Sequence, residues 1–227
     1  PTIQQEVAPR DAKLQKIWIG TDDGRRSIFL DPESLENSNM MITGKPGSGK
    51  TQLLKYLICK IREQQKNTLI IEIQRDFSQK PDFEDRASLD VAYVTDEGLP
   101  FNPLIPIPRK HSRTEELIIN LPNHISELVS LFDRTCDLGV QQANNLQEVV
   151  KNAFGDMGID VRHQTLFDEE QEFPYFGQIS EVLRELDMLA YNRLSSFFNL
   201  NIFRQEYSGR PFSDLLNKSI VISLVGI

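Results

Sequence analysis

The sequence predicts an α/β fold with a mostly parallel sheet, and three features lead to this expectation. A glycine-rich turn at residues 44–51 follows one apolar run and precedes a segment whose apolar residues recur at helical spacing. Two more apolar runs come next, "NTLIIEI" at residues 67–73 and "LDVAYVT" at residues 89–95. Strands that alternate with helical crossovers pair in parallel, because a tight turn joins only antiparallel neighbours.

The first third of the chain contains several local patterns. We expect residues 1–15, which are polar and irregular, to be a linker. The run "KIWIGTDDGRRSIFLDP" at residues 16–32 predicts a hairpin, because Asp-Gly between apolar runs is a strong turn signal. "NMMITG" at residues 39–44 predicts a short strand that leads into the glycine-rich turn. A helix is expected from Thr51 to about Gln65, with apolar residues at positions 53, 54, 57, 58 and 61.

Prolines and helical spacing organise the second half. Four prolines between Pro100 and Pro108 predict an extended loop, since proline interrupts helices and central strands. Three segments have helical spacing: Glu115 to Phe132, kinked or split by Pro122; Gln141 to Phe154; and Gln178 to Phe198, as one helix or a pair. The acidic stretch from Leu166 to Tyr175 is expected to be a loop, and Ile220 to Val225 the last strand.

These patterns predict a core that is interrupted once. Residues 16–108 form its first part, residues 109–210 an inserted helical subdomain, and residues 211–227 its last, truncated strand. The sequence starts with Pro1 instead of Met and stops at an apolar strand, so we expect a fragment of a longer protein. A chain of 227 residues has room for one such core with an inserted subdomain.

Composition narrows the classes of function. The formal net charge of −8 and the pI near 5.0 argue against a protein that coats polyanions generally, although a local basic strip can still bind nucleic acid. Cys59 and Cys136 are far apart and lack metal-ligand spacing, so we expect reduced thiols in a cytoplasmic protein. No apolar run reaches the roughly 18 residues that span a bilayer, so no membrane partner is expected.

The glycine-rich turn is a complete G-x-x-x-x-G-K-T motif. Its glycines let successive backbone N–H groups face a phosphate, and the start of the following helix adds about half a positive charge. Lys50 is expected to reach the β- and γ-phosphates, and the Thr51 hydroxyl to bind Mg²⁺. The motif therefore predicts ATP and Mg²⁺ as cofactors. The expected nucleotide-binding residues are Gly44, Lys45, Pro46, Gly47, Ser48, Gly49, Lys50, Thr51 and Gln52.

Hydrolysis of a bound nucleotide also needs an acidic residue that holds or polarises a Mg²⁺-bound water. Glu72 lies on the strand after the motif helix, and Asp76 just beyond the end of that strand. Both are candidate catalytic carboxylates. Asp76 is the better placed, because ligands of open α/β sheets sit at the carboxyl ends of strands; its alternative role is a helix cap or turn. No later strand ends in an acidic pair, so we expect that the usual second acidic motif is missing or lies beyond Ile227.

Several segments occur in an order that resembles a known family. They are "MMITGKPGSGKTQLLKYLICKI", "LIIEIQRDF", "LPFNPL", "DLGVQQANNLQEVVKNAFGDMGI", "SSFFNLNIF" and "SIVISLVGI". Over residues 16–227 the chain is similar to HerA/FtsK-type P-loop motor ATPases. It most resembles the HerA-like ATPase, of DptH/DndH type, in bacterial phosphorothioation-dependent DNA restriction systems.

The resemblance implies a RecA/FtsK-like P-loop NTPase core with helices on both faces of the sheet. It also implies a homo-oligomeric ring, typically a hexamer, that uses ATP to move on double-stranded DNA alongside other restriction-system subunits. By position, Glu72 corresponds to an Asp of the family and Asp76 to the Asp of its G-D-F segment. Arg75 replaces the glycine of that segment, and Ser223 stands where many relatives have Asp. These departures concern catalysis and leave the expectation of nucleotide binding unchanged.

Two other functions stay open. A P-loop kinase would transfer the γ-phosphoryl group to a small acceptor, although no arginine-rich lid is visible and the proline-rich loop has no role in such an enzyme. A non-catalytic, nucleotide-gated assembly module is compatible with the missing acidic motif. Arg109, Lys110 and Arg113 form a basic cluster that could contact DNA phosphates, contact a neighbouring subunit, or be a solvated loop.

Overall fold

The computed structural model describes residues 15–34, 39–168 and 170–227, so residues 1–14 of the expected linker lie outside the described residues. The helices and strands of the first half are β1 (Ile17–Thr21), β2 (Ser27–Leu30), α1 (Lys50–Glu63), β3 (Leu69–Glu72), α2 (Pro81–Ala87), β4 (Leu89–Tyr93) and α3 (Val94–Glu97). Those of the second half are β5 (Arg109–Lys110), β6 (Leu117–Asn120), α4 (Leu121–Cys136), α5 (Val140–Asp156), β7 (Gln164–Leu166), α6 (Phe176–Leu186), α7 (Met188–Arg193), α8 (Ser195–Asn199) and β8 (Ser219–Ser223).

The hairpin expected around Asp-Gly is confirmed. β1 and β2 pair antiparallel, and the Asp22 carboxylate accepts hydrogen bonds from the backbone N–H and the Nε of Arg26, each at 2.8 Å. This arrangement closes the turn, as short polar side chains often do. The Tyr56 hydroxyl of α1 donates to the carbonyl oxygen of Trp18 at 2.8 Å. The hairpin is therefore attached to the helix that follows the glycine-rich turn.

A three-stranded parallel sheet forms the centre of the first half. The strand order is β3-β8-β4, and both outer strands pair parallel to β8. Every residue of β8 is buried, as expected for the central strand of a covered parallel sheet. The last strand of the sequence thus lies between the two strands that precede the helical part, and the predicted parallel sheet is confirmed.

Helices and short turns cover both faces of this sheet. Side chains alternate along β8, so Val221 lies on one face and Ile220 and Ile222 on the other. The first face packs against α1 and α2, in a cluster of Ile58, Cys59, Phe83, Ala87, Leu89 and Val221. The second face packs against the segments after α8, in a cluster of Ala92, Val94, Ile202, Leu215, Ile220 and Ile222. The expected α/β class with a parallel sheet is therefore observed, with α1 and α2 on one face and mainly loops and short 3-10 turns on the other.

β3 is an edge strand of this sheet. Within the described ranges, one side of β3 pairs with β8 and the other side pairs with no strand. Ile71 on β3 is 63% exposed, and Ile73 just beyond it is 77% exposed. An apolar, β-branched edge of this kind can pair with a further strand.

The second half has its own, larger core. Helices α4, α5, α6 and α7 pack around buried side chains such as Leu121, Ile125, Leu146, Phe154 and Leu183. An antiparallel sheet of order β5-β6-β7 lies beside them, which the sequence patterns did not predict. The assignment of residues 109–210 to an inserted helical subdomain stays a prediction.

The predicted strand at residues 39–44 is not observed. This segment has no regular structure and pairs with no strand in the part of the chain that the structure describes. Met41 is 86% exposed. The segment contains apolar residues, as the prediction assumed, but a strand also needs a partner for its backbone N–H and C=O groups. The sheet ends at β3 and β4, and neither edge receives this segment.

Two helix predictions need correction, and in both a helix begins at a residue that apolar spacing alone does not indicate. Residues 117–120 form strand β6, and the helix begins only at Leu121, with Pro122 in its first turn, where proline is tolerated. Gln178 to Phe198 lies in three helices, not one or two. Asp187 begins the second of them by accepting hydrogen bonds from the N–H groups of Leu189 and Ala190, both at 3.0 Å.

The remaining predictions of the second half are largely confirmed. α5 includes the predicted helix from Gln141 to Phe154, and β8 overlaps the predicted last strand. The proline-rich segment is an extended loop as expected, except that Arg109 and Lys110 at its end form β5. No helix in the described ranges combines the length and the apolar character that a bilayer crossing requires.

Candidate nucleotide site

The glycine-rich turn has the backbone conformation that its glycines suggest. Gly47 has φ of 78° and Gly49 has φ of 87°, both in the left-handed region that favours glycine. A Cβ built on either residue would meet no heavy atom within 4 Å. At Gly44, in contrast, an added Cβ would lie 2.7 Å from the Ser48 Oγ. Backbone conformation thus favours glycine at Gly47 and Gly49, whereas at Gly44 a side chain would require only the Ser48 hydroxyl to rotate away.

The start of α1 offers unpaired donors directly after this turn. The helix begins at Lys50, and the residue before it, Gly49, has no side chain to cap it. The first turn of α1 contains no acidic residue. Backbone N–H groups at an uncapped helix start, with the positive end of the helix dipole, form an anion site. The turn and the helix start together fit a chain of phosphates.

Lys50 closes the turn on itself. Its Nζ donates to the carbonyl oxygen of Lys45 at 3.0 Å, and the Ser48 N–H donates to the same oxygen at 3.2 Å. Residues 44–49 are exposed, so a ligand can reach the turn without any rearrangement of the core. A bound polyphosphate would compete with the Lys45 carbonyl for the ammonium group, and a charged phosphate oxygen is the stronger acceptor.

The residues present also fit the expected metal. Thr51 follows Lys50 in the first turn of α1 and is half-buried, so the helix fixes the backbone that carries its hydroxyl. Among the described residues, no group of three or more His, Cys, Asp or Glu could hold a metal ion alone. Mg²⁺ in nucleotide sites does not need such a group, because it binds one or two protein oxygens together with phosphate and water oxygens.

Glu72, one of the two candidate carboxylates, is buried at the end of β3. It is 3% exposed, and its Oε2 accepts hydrogen bonds from the N–H groups of Phe77 at 2.9 Å and Ser78 at 3.2 Å. Its other oxygen accepts from the Ser78 hydroxyl. The carboxylate thus fixes the loop of residues 73–78, and its oxygens are already occupied by that loop.

The hydrogen bonds decide the charge of Glu72. Burial acts to raise the pKa of its carboxyl, but the Ser78 hydroxyl and the N–H groups of Phe77 and Ser78 outweigh burial and lower the pKa. Ser223, its register partner on β8, contributes least. The Ser223 hydroxyl is buried and makes no hydrogen bond of full geometry with the described residues. Glu72 is therefore an ionised, internally bonded carboxylate.

Asp76 differs from Glu72 in its exposure and in the hydrogen bonds of its carboxylate. It is exposed, and its carboxylate makes no hydrogen bond or ion pair within the described ranges; only its N–H is bonded, to the Gln74 carbonyl oxygen at 2.7 Å. Of the two alternative roles, the helix cap is not observed, since α2 begins five residues later with Lys80 as its N-cap, whereas Asp76 does lie in a turn. Of the two candidates, Asp76 is the one free to contact a ligand.

The other residues singled out from the sequence, apart from Cys59, lie far from the turn along the chain. Arg109 and Lys110 are exposed on β5, and Arg113 lies in the turn between β5 and β6. In that turn the His111 Nδ1 accepts from the N–H of Thr114 at 3.3 Å. Cys59 and Cys136 are both free thiols, as expected.

Sequence reasoning missed four residues around the loop that carries Asp76: Lys55, Phe77, Ser78 and Phe83. The Lys55 Nζ of α1 lies 5.1 Å from the ring centroid of Phe83 and 6.0 Å from that of Phe77. Ser78 bonds to Glu72 as described above. The only sequence signal was the position of Phe77 directly after Asp76, and nothing in the sequence pairs either ring with a lysine of α1.

Comparison with known proteins gives two findings. A sequence model described as the type IV secretion-system coupling protein DNA-binding domain matches residues 30–92, which include the glycine-rich turn, α1, β3 and all but the last residue of β4. The structure is similar to that of VirB4 of Thermoanaerobacter pseudethanolicus, with a TM-score of 0.60 and 20% identity, over 93% of this chain and 58% of that one. No curated protein matches the chain.

The structural likeness bears on the fold of the chain. At 20% identity the likeness to VirB4 shows the fold, and the chain spans 58% of the length of that neighbour. The sequence match at residues 30–92 covers less than a third of the chain, so the resemblance to FtsK/HerA-type motors stays a prediction. The narrower likeness to a DptH/DndH-type restriction ATPase stays a prediction, as does every individual site residue.

Proposed function

We propose that this chain is the ATP-binding part of a HerA/FtsK-like DNA translocase or helicase that hydrolyses ATP with Mg²⁺. The observation that carries the proposal is the glycine-rich turn at the uncapped start of α1, with Gly47 and Gly49 in the left-handed region and Lys50 lying over the turn. Left-handed glycines, an uncapped helix start and a lysine over the turn have no common structural purpose unless the turn binds an anion. The sequence match and the fold neighbour support the motor class over a small-molecule kinase.

Each residue of the site has a definite task in this proposal. The backbone N–H groups of the turn and the start of α1 bind and orient the phosphates, and Lys50 neutralises their charge. Thr51 provides a hydroxyl oxygen for the metal, and Asp76 orients a water molecule near it. Mg²⁺, when bound, offsets charge on the β- and γ-phosphates. Glu72 is a weaker candidate than Asp76, because its oxygens are bonded to the loop.

The proposed substrate of the motor is double-stranded DNA, within a bacterial restriction or defence system in the cytoplasm. The description of the matched domain refers to DNA binding. The net charge of −8 leaves a single chain few groups for phosphate contacts. A homo-oligomeric ring, such as a hexamer, would multiply them through effective concentration. Other restriction-system subunits are the proposed partners of that ring.

Thr51→Val tests the nucleotide site at the metal. The change keeps the shape of the side chain and removes the hydroxyl oxygen. In the wild-type chain we expect Mg²⁺ to increase ATP affinity, and in the variant we expect this increase to be lost, as measured by calorimetry with and without Mg²⁺. Serine at the same position is the control, since it keeps the oxygen. An increase of wild-type size in the valine variant would remove Thr51 from the metal site.

Phosphate release separates the motor from its alternatives. Hydrolysis by the chain alone is expected to be weak, below about 1 per second, because no second acidic motif is present. Stimulation by duplex DNA would support the motor, and release that depends on a small acceptor would support the kinase. ATP binding without either response would support the assembly module.

A further inference from the structure

The loop that carries Asp76 is attached to α1 through a cation over two aromatic rings. The Lys55 Nζ lies 5.1 Å from the centroid of Phe83 and 6.0 Å from that of Phe77, and the two centroids are 6.1 Å apart. Phe83 is buried in the cluster between α1, α2 and the sheet. An ammonium group over such rings is attracted by their electron-rich faces.

The same loop is held from its other side by Glu72. The buried carboxylate accepts from the N–H groups of Phe77 and Ser78, so the backbone of these residues cannot move without breaking charged hydrogen bonds. Asp76 directly precedes Phe77. Its position therefore depends on two attachments, one to the strand through Glu72 and one to the helix of the glycine-rich turn through Lys55.

We propose that Lys55 and Glu72 are positioning residues, which hold the loop of residues 73–78 so that the Asp76 carboxylate has a fixed place relative to α1. The inference rests on the proposed function, because Asp76 matters only if the turn binds a nucleotide. Lys55 acts here through Phe77 and Phe83. It keeps the loop close to the helix whose first residues, Lys50 and Thr51, belong to the nucleotide site.

The first test replaces Lys55 with methionine, which keeps an unbranched side chain of similar length and removes the charge. We expect the increase of ATP affinity with Mg²⁺ to fall about two- to fivefold. ATP affinity without Mg²⁺ should stay within about twofold of wild type, since Asp76 acts through the metal. Lys55→Arg should restore the increase, because a guanidinium group over the rings keeps the cation.

Two further variants distinguish positioning from a general effect. Lys60→Met is the matched control, because Lys60 lies on the same helix but contacts Tyr56 and Glu63, and it should leave both affinities unchanged. The double variant of Lys55→Met and Asp76→Asn should bind no more weakly than Asp76→Asn alone, since Lys55 acts through Asp76. Additive losses in the double variant would overturn the inference, as would a Lys55→Met protein with a wild-type Mg²⁺ response.

A measurement without nucleotide tests the attachment itself. The N–H groups of Phe77 and Ser78 should exchange hydrogen about two- to fivefold faster in Lys55→Met and at the wild-type rate in Lys60→Met. Unchanged exchange in Lys55→Met would overturn the inference whatever the nucleotide data show. If exchange responds as expected but the wild-type chain does not bind ATP, the proposed function fails while the attachment stands. If the chain binds ATP but Asp76→Asn leaves the Mg²⁺ response intact, the positioning role fails while the nucleotide site stands.

Discussion

The glycine-rich turn at residues 44–51 and the loop at residues 73–78 are built in opposite ways, although both are proposed to face the same ligand. The turn lies at the surface, and its backbone N–H groups are accessible. Its glycines have no side chains, and no side chain caps the helix that follows. The loop is fixed by side chains: Glu72 bonds its backbone, and Lys55 lies over its aromatic ring. A turn that binds a ligand through its backbone needs residues that can adopt left-handed φ values. A loop that places one carboxylate needs side-chain contacts that hold its backbone in one position.

The largest expected effect concerns the turn. Lys50→Ala removes one charge-assisted contact to the triphosphate, worth about 1.5–3 kcal/mol, so ATP should bind at least tenfold more weakly. Calorimetry of wild type and variant measures this difference. Lys60→Ala, at the other end of the same helix, is expected to bind ATP normally. Equal affinities for the Lys50→Ala variant and wild type would show that the turn is not a phosphate site.

The corresponding change in the loop is Glu72→Gln. The amide keeps the shape but loses the charge that three donors contact, and we expect a loss of about 1–3 kcal/mol in the free energy of unfolding near pH 7. Glu63→Gln on the exposed surface of α1 should change it by less than about 0.5 kcal/mol. If both variants unfold alike in denaturant, Glu72 does not fix the loop.

The pH dependence of this difference has a definite sign. The pKa of Glu72 is lowered in the folded state, so its contribution is present above the unfolded-state pKa, which is about 4.3. It is lost as the pH falls through the lower, folded-state pKa. The stability of wild type and Glu72→Gln should therefore converge in acid, below about pH 4.

These two regions also differ in how far the sequence could predict them. The turn is contiguous, and each proposed role in it follows from a residue type at a fixed spacing. The sequence alone therefore predicts residues 44–51 as a phosphate-binding motif. The attachment of the loop joins Lys55 to Phe77 and Phe83 across separate elements, and no spacing rule connects them. The missing strand at residues 39–44 and the three helices between Phe176 and Asn199 were mispredicted because pairing and capping depend on tertiary neighbours.

A smaller effect is expected from the backbone of the turn. Gly47→Ala places a Cβ on a residue with φ of 78°, which costs about 1–2 kcal/mol in the left-handed region even though space is free. We expect weaker ATP binding, measured by calorimetry. Gly155→Ala is the matched control: it lies in α5 with free space around it and should stabilise the protein slightly. Normal ATP binding by Gly47→Ala would mean that the turn tolerates another conformation.

The smallest effect concerns DNA and lies outside both regions. Replacing Arg109, Lys110 and Arg113 with glutamine should reduce the dependence of log Kd on log salt by about 0.9 for each lost phosphate contact, in assembled protein. Fluorescence anisotropy at several salt concentrations measures this slope. A control triple variant of Lys16, Arg25 and Arg26 removes the same charge from the β1–β2 hairpin. Equal slopes in the two variants would attribute any change to net charge alone.

The exposed edge of β3 has a practical consequence for all of these measurements. Ile71 and Ile73 lie along an edge that pairs with no further strand among the described residues, and edges of this kind let chains aggregate by adding strand to strand. Aggregates of this kind grow with concentration and are insensitive to nucleotide. A ring assembled for work on DNA would instead have a defined size. Light scattering at several concentrations, with and without ATP, therefore belongs before any titration with DNA.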